Sequence, residues 1–220
     1  MTEKYDTSSC CLRNACCQGE NVSETTFLHT AAEKQKPSVL LHACCGPCAT
    51  ACVERLALDY QVTVFYYNPN ITDQEEYFLR RDTLLHFLEA FNREHRGETF
   101  VDYIEGSYDT ERYLRAAEPF REEPEGGRRC DVCFALRMEE TARMTDELGM
   151  DYFTTTLSVS PHKNYSKIAD LGYRLASIHH SSFLDIDFKK KNGFGRSVEL
   201  SKKYHLYRQR FCGCEYARRG

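Results

Sequence analysis

"KPSVLLHACCGPCATACVERLALDYQVTVFYYNPN", residues 36–70, decides the fold. Pro37 bounds a short run rich in Val and Leu, the pattern of a parallel strand covered on both faces. The turn "CCGPC" follows, with Pro47 suited to the first turn of a helix, where a missing N–H costs nothing. Ala51, Leu56 and Ala57 then recur at helical spacing. "QVTVFYY" reads as a second strand, and Asn68-Pro69-Asn70 stops it. The unusual part is the first turn. Where many α/β proteins place glycines that cradle a phosphate, this one places three thiols in five positions.

Working outward, strands and helices keep alternating. Residues 73–95 predict a long helix that starts at Asp73 with an acidic first turn and carries an apolar stripe of Phe78, Leu84, Leu85, Leu88 and Phe91. "TFVDYIEG" is a third strand, and "DTERYLRAAEPF" a helix ended near Pro119. The charged loop "REEPEGGRR" delivers the helix "CDVCFALRMEETARMTDELG", closed by Gly149. "DYFTTTLSVSP" is a fourth strand and "NYSKIADLGYRLASIHH" a helix, followed by a charged turn, a last helix and a terminal cysteine pair. The pattern predicts a doubly wound, mostly parallel sheet, in which ligands bind outside the carboxyl ends of the strands. "CCGPC" sits at that edge. Residues 1–36 are polar and lack apolar periodicity, so they read as a flexible extension before one α/β domain over 37–220. Cys10, Cys11, Cys16 and Cys17 in that extension have no folded frame and are left out of the site.

The 220 residues suffice for one domain with a proper core. No apolar run approaches the ~20 residues of a membrane helix, and the N-terminus has no apolar signal segment, so the expected setting is cytoplasmic and away from membranes. In a reducing compartment, twelve cysteines point to metal or redox chemistry rather than structural staples. The formal charge of −4 is unevenly spread: residues 189–220 carry ten Lys/Arg against two Glu, a net of +8. A phosphate-binding face and a solvated helix with a basic tail both fit that segregation.

Outside the extension, seven of eight cysteines form three groups: Cys44 and Cys45 with Cys48, Cys130 with Cys133, and Cys212 with Cys214. Cys52, four residues after Cys48 on an apolar helix face, reads as a packed thiol. The groups lie about eighty residues apart, which puts them on different loops of one domain rather than in a small zinc ribbon. Four thiolates suit an iron–sulfur cube or zinc, and spacing alone does not separate the two. Three thiols then remain for a mononuclear metal with an open position or for a redox pair; Gly213 lets "CGC" bend into a short loop. Buried structural cysteines gathered by chance are the bland reading, and three tight clusters argue against it.

The nearby polar residues support two readings each. Thr154 to Asn164 end a strand at the same edge, as substrate contacts or as ordinary turn residues. His42 reads first as a core histidine bonded to backbone and second as a proton donor. Asp131 reads as a helix N-terminal acid that can also approach a metal. In "KKYHLYRQRF", Tyr204 and Phe211 read as core, and the cations as facing solvent or phosphate.

With these segments assembled, the chain resembles the epoxyqueuosine reductase family of the QueH type. The matching stretches are "LLHACCGPCAT", "FYYNPNI", "RCDVCFALRM", "TTTLSVSPHKN" and "FLDIDFKKKNGFGRSVELSKKYHLYRQRFCGCEYA", together spanning about residues 38–217. The resemblance implies deoxygenation of epoxyqueuosine in tRNA to queuosine, the last step of that modification, without cobalamin. It also implies a nucleotide-binding α-hydrolase (Rossmann-like) α/β domain with a 4Fe–4S cluster. By position, Cys44, Cys45, Cys130 and Cys133 match cluster ligands. Cys212 and Cys214 match a terminal pair read as a redox-active disulfide or as ligands of a second iron, which Cys48 can join. The implied partners are tRNA carrying epoxyqueuosine and an unidentified electron donor. Two other readings compete: a thiol–disulfide oxidoreductase using Cys45-Gly46-Pro47-Cys48, and a zinc-stabilised RNA-binding module. ATP-driven thiolation is disfavoured, because no Ser-Gly-Gly phosphate loop follows the first strand.

Overall fold

A computed structural model describes residues 36–219. The N-terminal cysteines, and with them the predicted extension, lie outside those residues. Strand β1 (Ser38–His42), helix α1 (Gly46–Leu56) and β2 (Gln61–Tyr66) realise the strand–helix–strand reading. Then follow α2 (Gln74–Glu94), β3 (Asp102–Glu105), α3 (Thr110–Ala117), α4 (Arg128–Glu147), β4 (Tyr152–Thr155), α5 (Tyr165–Ala176), β5 (Ser182–Phe183) and α6 (Gly193–Lys203). The five strands form one sheet in the order β3-β2-β1-β4-β5, and every pairing is parallel. Chain order reverses between β1 and β4, which opens a crevice at their carboxyl ends.

Side chains alternate across β1 because the strand period is two. Val39 and Leu41 join Val62, Val64 and the apolar faces of α1, α2 and α6, whereas Leu40 packs with Phe65 and Tyr67 on the opposite face. That second face is covered by α4 and α5, through Met138, Ala142, Phe153, Ile168 and Phe183. The two covered faces are why β1 and β2 carry consecutive apolar residues, Val39–Leu41 and Val64–Tyr66.

Three details differ from the sequence reading. The fourth strand is shorter than "DYFTTTLSVSP": the Thr155 hydroxyl accepts the Leu157 N–H, and the chain turns into a 3-10 helix over Thr156–Val159. A fifth strand of two residues pairs with β4; it is too short to show any periodicity. The α2 stripe is rotated. Asp73 caps the helix by accepting from the N–H groups of Glu75 and Glu76, as its acidic start implies. The buried positions, however, are Tyr77, Arg80, Leu84, Phe87, Leu88 and Phe91, while Phe78 is partly exposed beside Tyr108 and the Arg81 guanidinium. No described helix is long and apolar enough to cross a membrane.

The basic C-terminal segment is less free than its composition suggests. Arg196 forks onto Glu54 at 2.7 and 2.9 Å and also meets Glu199. Lys203 pairs with Glu94 at 2.6 Å, and Arg208 donates to Ser197 and Ser201. Tyr204 is core, as expected; Phe211 is half-buried with the Arg80 guanidinium over its ring.

Candidate metal and redox site

Three thiols meet where β1 ends. Ala43 extends the β1–β2 pairing, its N–H donating to Phe65 and its carbonyl accepting from Asn68 Nδ2 at 2.9 Å. Cys45 then takes an extended conformation as the N-cap of α1, and Gly46 and Pro47 open the helix. Gly46 is required by packing: a Cβ there would lie 2.9 Å from the Thr83 carbonyl oxygen of α2. The Sγ atoms of Cys44, Cys45 and Cys48 all lie within 4.8 Å of one another, at the positive end of α1. Cys45 is 1 % exposed. Sulfurs this close and this buried compete for negative charge. Hydrogen bonds from Cys45 and Cys48 hold the Cys44 thiol well below its ordinary range, with Lys163 and Arg137 adding to the effect. Burial pushes Cys45 up to about 12, and the thiolate beside it raises Cys48. Cys52 is buried apart from them, its thiol donating to the Cys48 carbonyl.

Helix α4 brings the second pair. Gly127 caps it, which puts Cys130 and Cys133 in its first two turns, and the Gly126 N–H donates to Cys130 Sγ at 3.2 Å. Arg137, one turn on, donates to the Cys133 carbonyl at 3.0 Å and to its Sγ at 3.1 Å. Burial still raises the Cys133 thiol, with Arg137 opposing. Asp131 is an acid of the first turn, as read, and pairs with Lys167 of α5.

The third pair lies on a clamped loop. Gly213 has φ +97°, and a Cβ there would stand 2.8 Å from Ile71 Cγ1. Arg80 reaches across from α2 to the carbonyls of Cys212 at 3.2 Å and Phe211 at 3.0 Å. Asn70 and Thr72 hold the carbonyls of Cys212 and Gly213. Both cysteines are free thiols here. The Cys212 thiol hydrogen-bonds to Cys214, whose pKa falls to about 6 despite its burial, with the Tyr113 hydroxyl at 2.9 Å as a second donor. The Cys212 thiol is raised in return.

One cavity of about 120 Å³ joins these pieces. Cys44, Cys130, Cys133, Cys212 and Cys214 all line it, and its rim carries His162, Lys163 and Asn164 from the β4–α5 loop. Cys45 and Cys48 stand behind Cys44. Among the described residues, Cys44, Cys45 and Cys48 are the one set of three ligand atoms this close. The donor chemistry fits a thiophilic metal: sulfurs gathered from three loops, each group met by an N–H or O–H donor, including Gln209 Nε2 on Cys45 at 2.8 Å. His42 is a core histidine. It is fully buried; Nε2 must donate to the Tyr67 carbonyl at 3.1 Å, so Nδ1 accepts from the Thr155 hydroxyl at 2.9 Å. Burial lowers it to about 3.

Sequence reading did not find Arg80, Tyr113, Arg137 or Gln209. Arg80 left one trace, an arginine within the apolar stripe of α2; Arg137 left another, four residues after a cysteine on a helix.

Comparison with known proteins shows the family. The family model for epoxyqueuosine reductase QueH matches residues 39–220. The chain is 43 % identical over 185 residues to epoxyqueuosine reductase QueH of Streptococcus pyogenes, covering 84 % of this chain and 72 % of that one. It is 37 % identical to the Staphylococcus epidermidis protein of the same name, covering 83 % and 77 %, and 30 % identical to that of Thermotoga maritima, covering 82 % and 90 %. Five convergent thiols in the crevice of a parallel sheet, and a family match over nearly every described residue, lead to one statement: this chain belongs to the QueH family of epoxyqueuosine reductases.

Proposed function

We propose that this chain deoxygenates the epoxide of epoxyqueuosine in tRNA to the cyclopentene of queuosine, using a 4Fe–4S cluster and no cobalamin. The observation that carries the reading is the single cavity into which Cys44, Cys130, Cys133, Cys212 and Cys214 all open. Cys44, Cys45, Cys130 and Cys133 would hold the cluster. Cys212 and Cys214, with Cys48 beside the first group, would hold a second iron or serve as a redox pair. When bound, such a cluster supplies low-potential electrons singly.

The chain's own residues do the rest. Gly126, Arg137 and Gln209 donate to ligand sulfurs, which stabilises their ionised form and fixes their direction. Tyr113 and Cys212 keep Cys214 ionised near neutral pH, ready as a ligand or a nucleophile. Arg80 and Asn70 hold the terminal loop against the cavity. Conversion of an epoxide to an alkene takes two electrons and two protons and releases water, so the site must also put positive charge beside the departing oxygen. A thiol–disulfide oxidoreductase centred on Cys45 and Cys48 fits less well. Its attacking thiol needs a lowered pKa and access, and here Cys45 is buried and raised.

The test is anaerobic purification with measurement of iron, sulfide and zinc, EPR after reduction, and turnover of tRNA bearing epoxyqueuosine. About four irons and four sulfides per chain with a reduced-cluster signal support the reading. Cys130→Ala and Cys133→Ala should each lose colour and turnover; retention of both in both variants overturns the ligand assignment. Zinc alone, with no cluster after reconstitution, overturns the mechanism.

A further inference from the structure

Six basic side chains line the thiol cavity: Arg80, Arg129, Arg137, His162, Lys163 and Lys167. The oxygen of an opening epoxide must receive a proton, and a cationic side chain in the cavity is a natural donor. Guanidinium groups do not release protons near neutral pH. All three arginines are also buried and hydrogen-bonded: Arg80 to the terminal loop, Arg137 to Cys133, and Arg129 to the carbonyls of Arg121 and Glu123. Lys167 closes onto both carboxylate oxygens of Asp131, at 2.8 and 2.9 Å. His162 is exposed on the rim.

Lys163 differs from all of these. It is half-buried, and among the described residues its ammonium makes no hydrogen bond or ion pair. Its backbone is pinned, the N–H donating to Ser160 at 3.3 Å and the carbonyl accepting from Lys189 Nζ at 3.0 Å. Asn164 then caps α5 by accepting from Lys167 N–H. A fixed backbone with an uncommitted ammonium at the cavity edge is the geometry of a group kept for a ligand. It lines the same cavity as Cys44 and Cys133, and its charge favours the ionised form of both thiols.

We propose that Lys163 is the proton donor to the departing epoxide oxygen. The proposal rests on the reductase reading above. As the first C–O bond breaks, the oxygen takes the proton of the Lys163 ammonium and leaves a neutral amine, which solvent reprotonates. The second C–O bond breaks as the alkene forms, and a second proton from solvent completes water. The two electrons come from a low-potential one-electron reductant, the class of co-reactant the deoxygenation requires.

The experiment uses the full chain with its metal loaded, dithionite as reductant, and tRNA bearing epoxyqueuosine. Lys163→Ala should lose about 10²-fold or more in turnover, within the span usual for a removed general acid. Its iron, its sulfide and its tRNA affinity should equal those of the wild type. Ethylamine should restore part of the lost rate, and a less acidic alkylammonium should restore less. Lys163→Arg keeps the charge but gives no proton, so it should also lose rate. His162→Gln should lose less than Lys163→Ala. Wild-type turnover in Lys163→Arg would show that charge alone suffices and overturn the proposal. So would a rate loss in Lys163→Ala matched by lost metal or lost tRNA affinity, or an unchanged rate in that variant. If loaded wild-type protein fails to convert epoxyqueuosine, the reductase reading falls and this proposal with it; if only Lys163→Ala behaves as wild type, the reading stands and Lys163 is removed from it.

Discussion

Arg80 Nη1 donates to the carbonyl of Cys212 at 3.2 Å, joining positions 132 residues apart, while its Nε holds Glu76 at 2.7 Å. A buried guanidinium thus ties the terminal cysteine loop to the long helix. Removing it leaves a buried carboxylate whose remaining side-chain partner among the described residues is the Tyr207 hydroxyl. Arg80→Met should therefore cost about 3–5 kcal/mol of stability, the usual penalty for breaking a buried pair. Adding Glu76→Gln should recover part of that, since Gln needs no counter-charge. Urea unfolding of the metal-free proteins measures both.

The Cys214 thiol, lowered to about 6, predicts a distinctive alkylation profile in metal-free protein. Iodoacetamide labelling at Cys214 should rise as pH increases through about 6 and level off by neutrality, whereas an ordinary thiol rises near ~8.5. Tyr113→Phe removes one donor to the thiolate and should move the midpoint upward. The linked stability has a fixed sign. With the folded value below the unfolded one, the contribution is full above ~8.5 and is lost as pH falls through about 6. Urea midpoints of wild type and Cys214→Ser compared across that window test it.

His42 makes a third prediction. Its Nε2 faces a carbonyl, so the Nε2–H tautomer should persist from neutral pH to pH 5 in nitrogen-detected NMR. The folded value near 3 lies below the ordinary ~6.5, so the unfolded chain takes the proton first. Stability attributable to His42 should be lost as pH falls from about 6.5 toward 3.

A fourth prediction concerns salt. Arg196 and Lys203 are neutralised by Glu54, Glu199 and Glu94, whereas the exposed Lys190 and Lys191 have no side-chain partner among the described residues. On the proposed tRNA reading, changing Lys190 and Lys191 to Gln should reduce the slope of log affinity against log salt by about 1–2. Arg196→Gln should leave that slope as it is. Filter binding across a salt series reads both slopes.

Much of this was legible in the sequence, for identifiable reasons. Buried parallel strands are apolar on both faces, so β1 and β2 stood out; β5, with two residues, had no pattern to show. Cysteine groups at the ends of predicted strands and starts of predicted helices located the cavity. The groups that hold the sulfurs were hidden. An Arg four residues after a Glu on a helix, as with Arg80 and Glu76, normally marks a solvated pair, and only burial makes it a clamp. The basic tail stayed open between two readings, because composition counts charges without counting their distant partners.

The competition for charge within the first triad has a consequence in proton stoichiometry. Of the three thiols, Cys44 gives up its proton most readily, while Cys45 and Cys48 hold theirs more tightly. A metal that engages these sulfurs as thiolates must expel the protons they still hold as it enters. Loading at this corner is therefore favoured by alkaline conditions, by about tenfold in affinity per pH unit for each proton released.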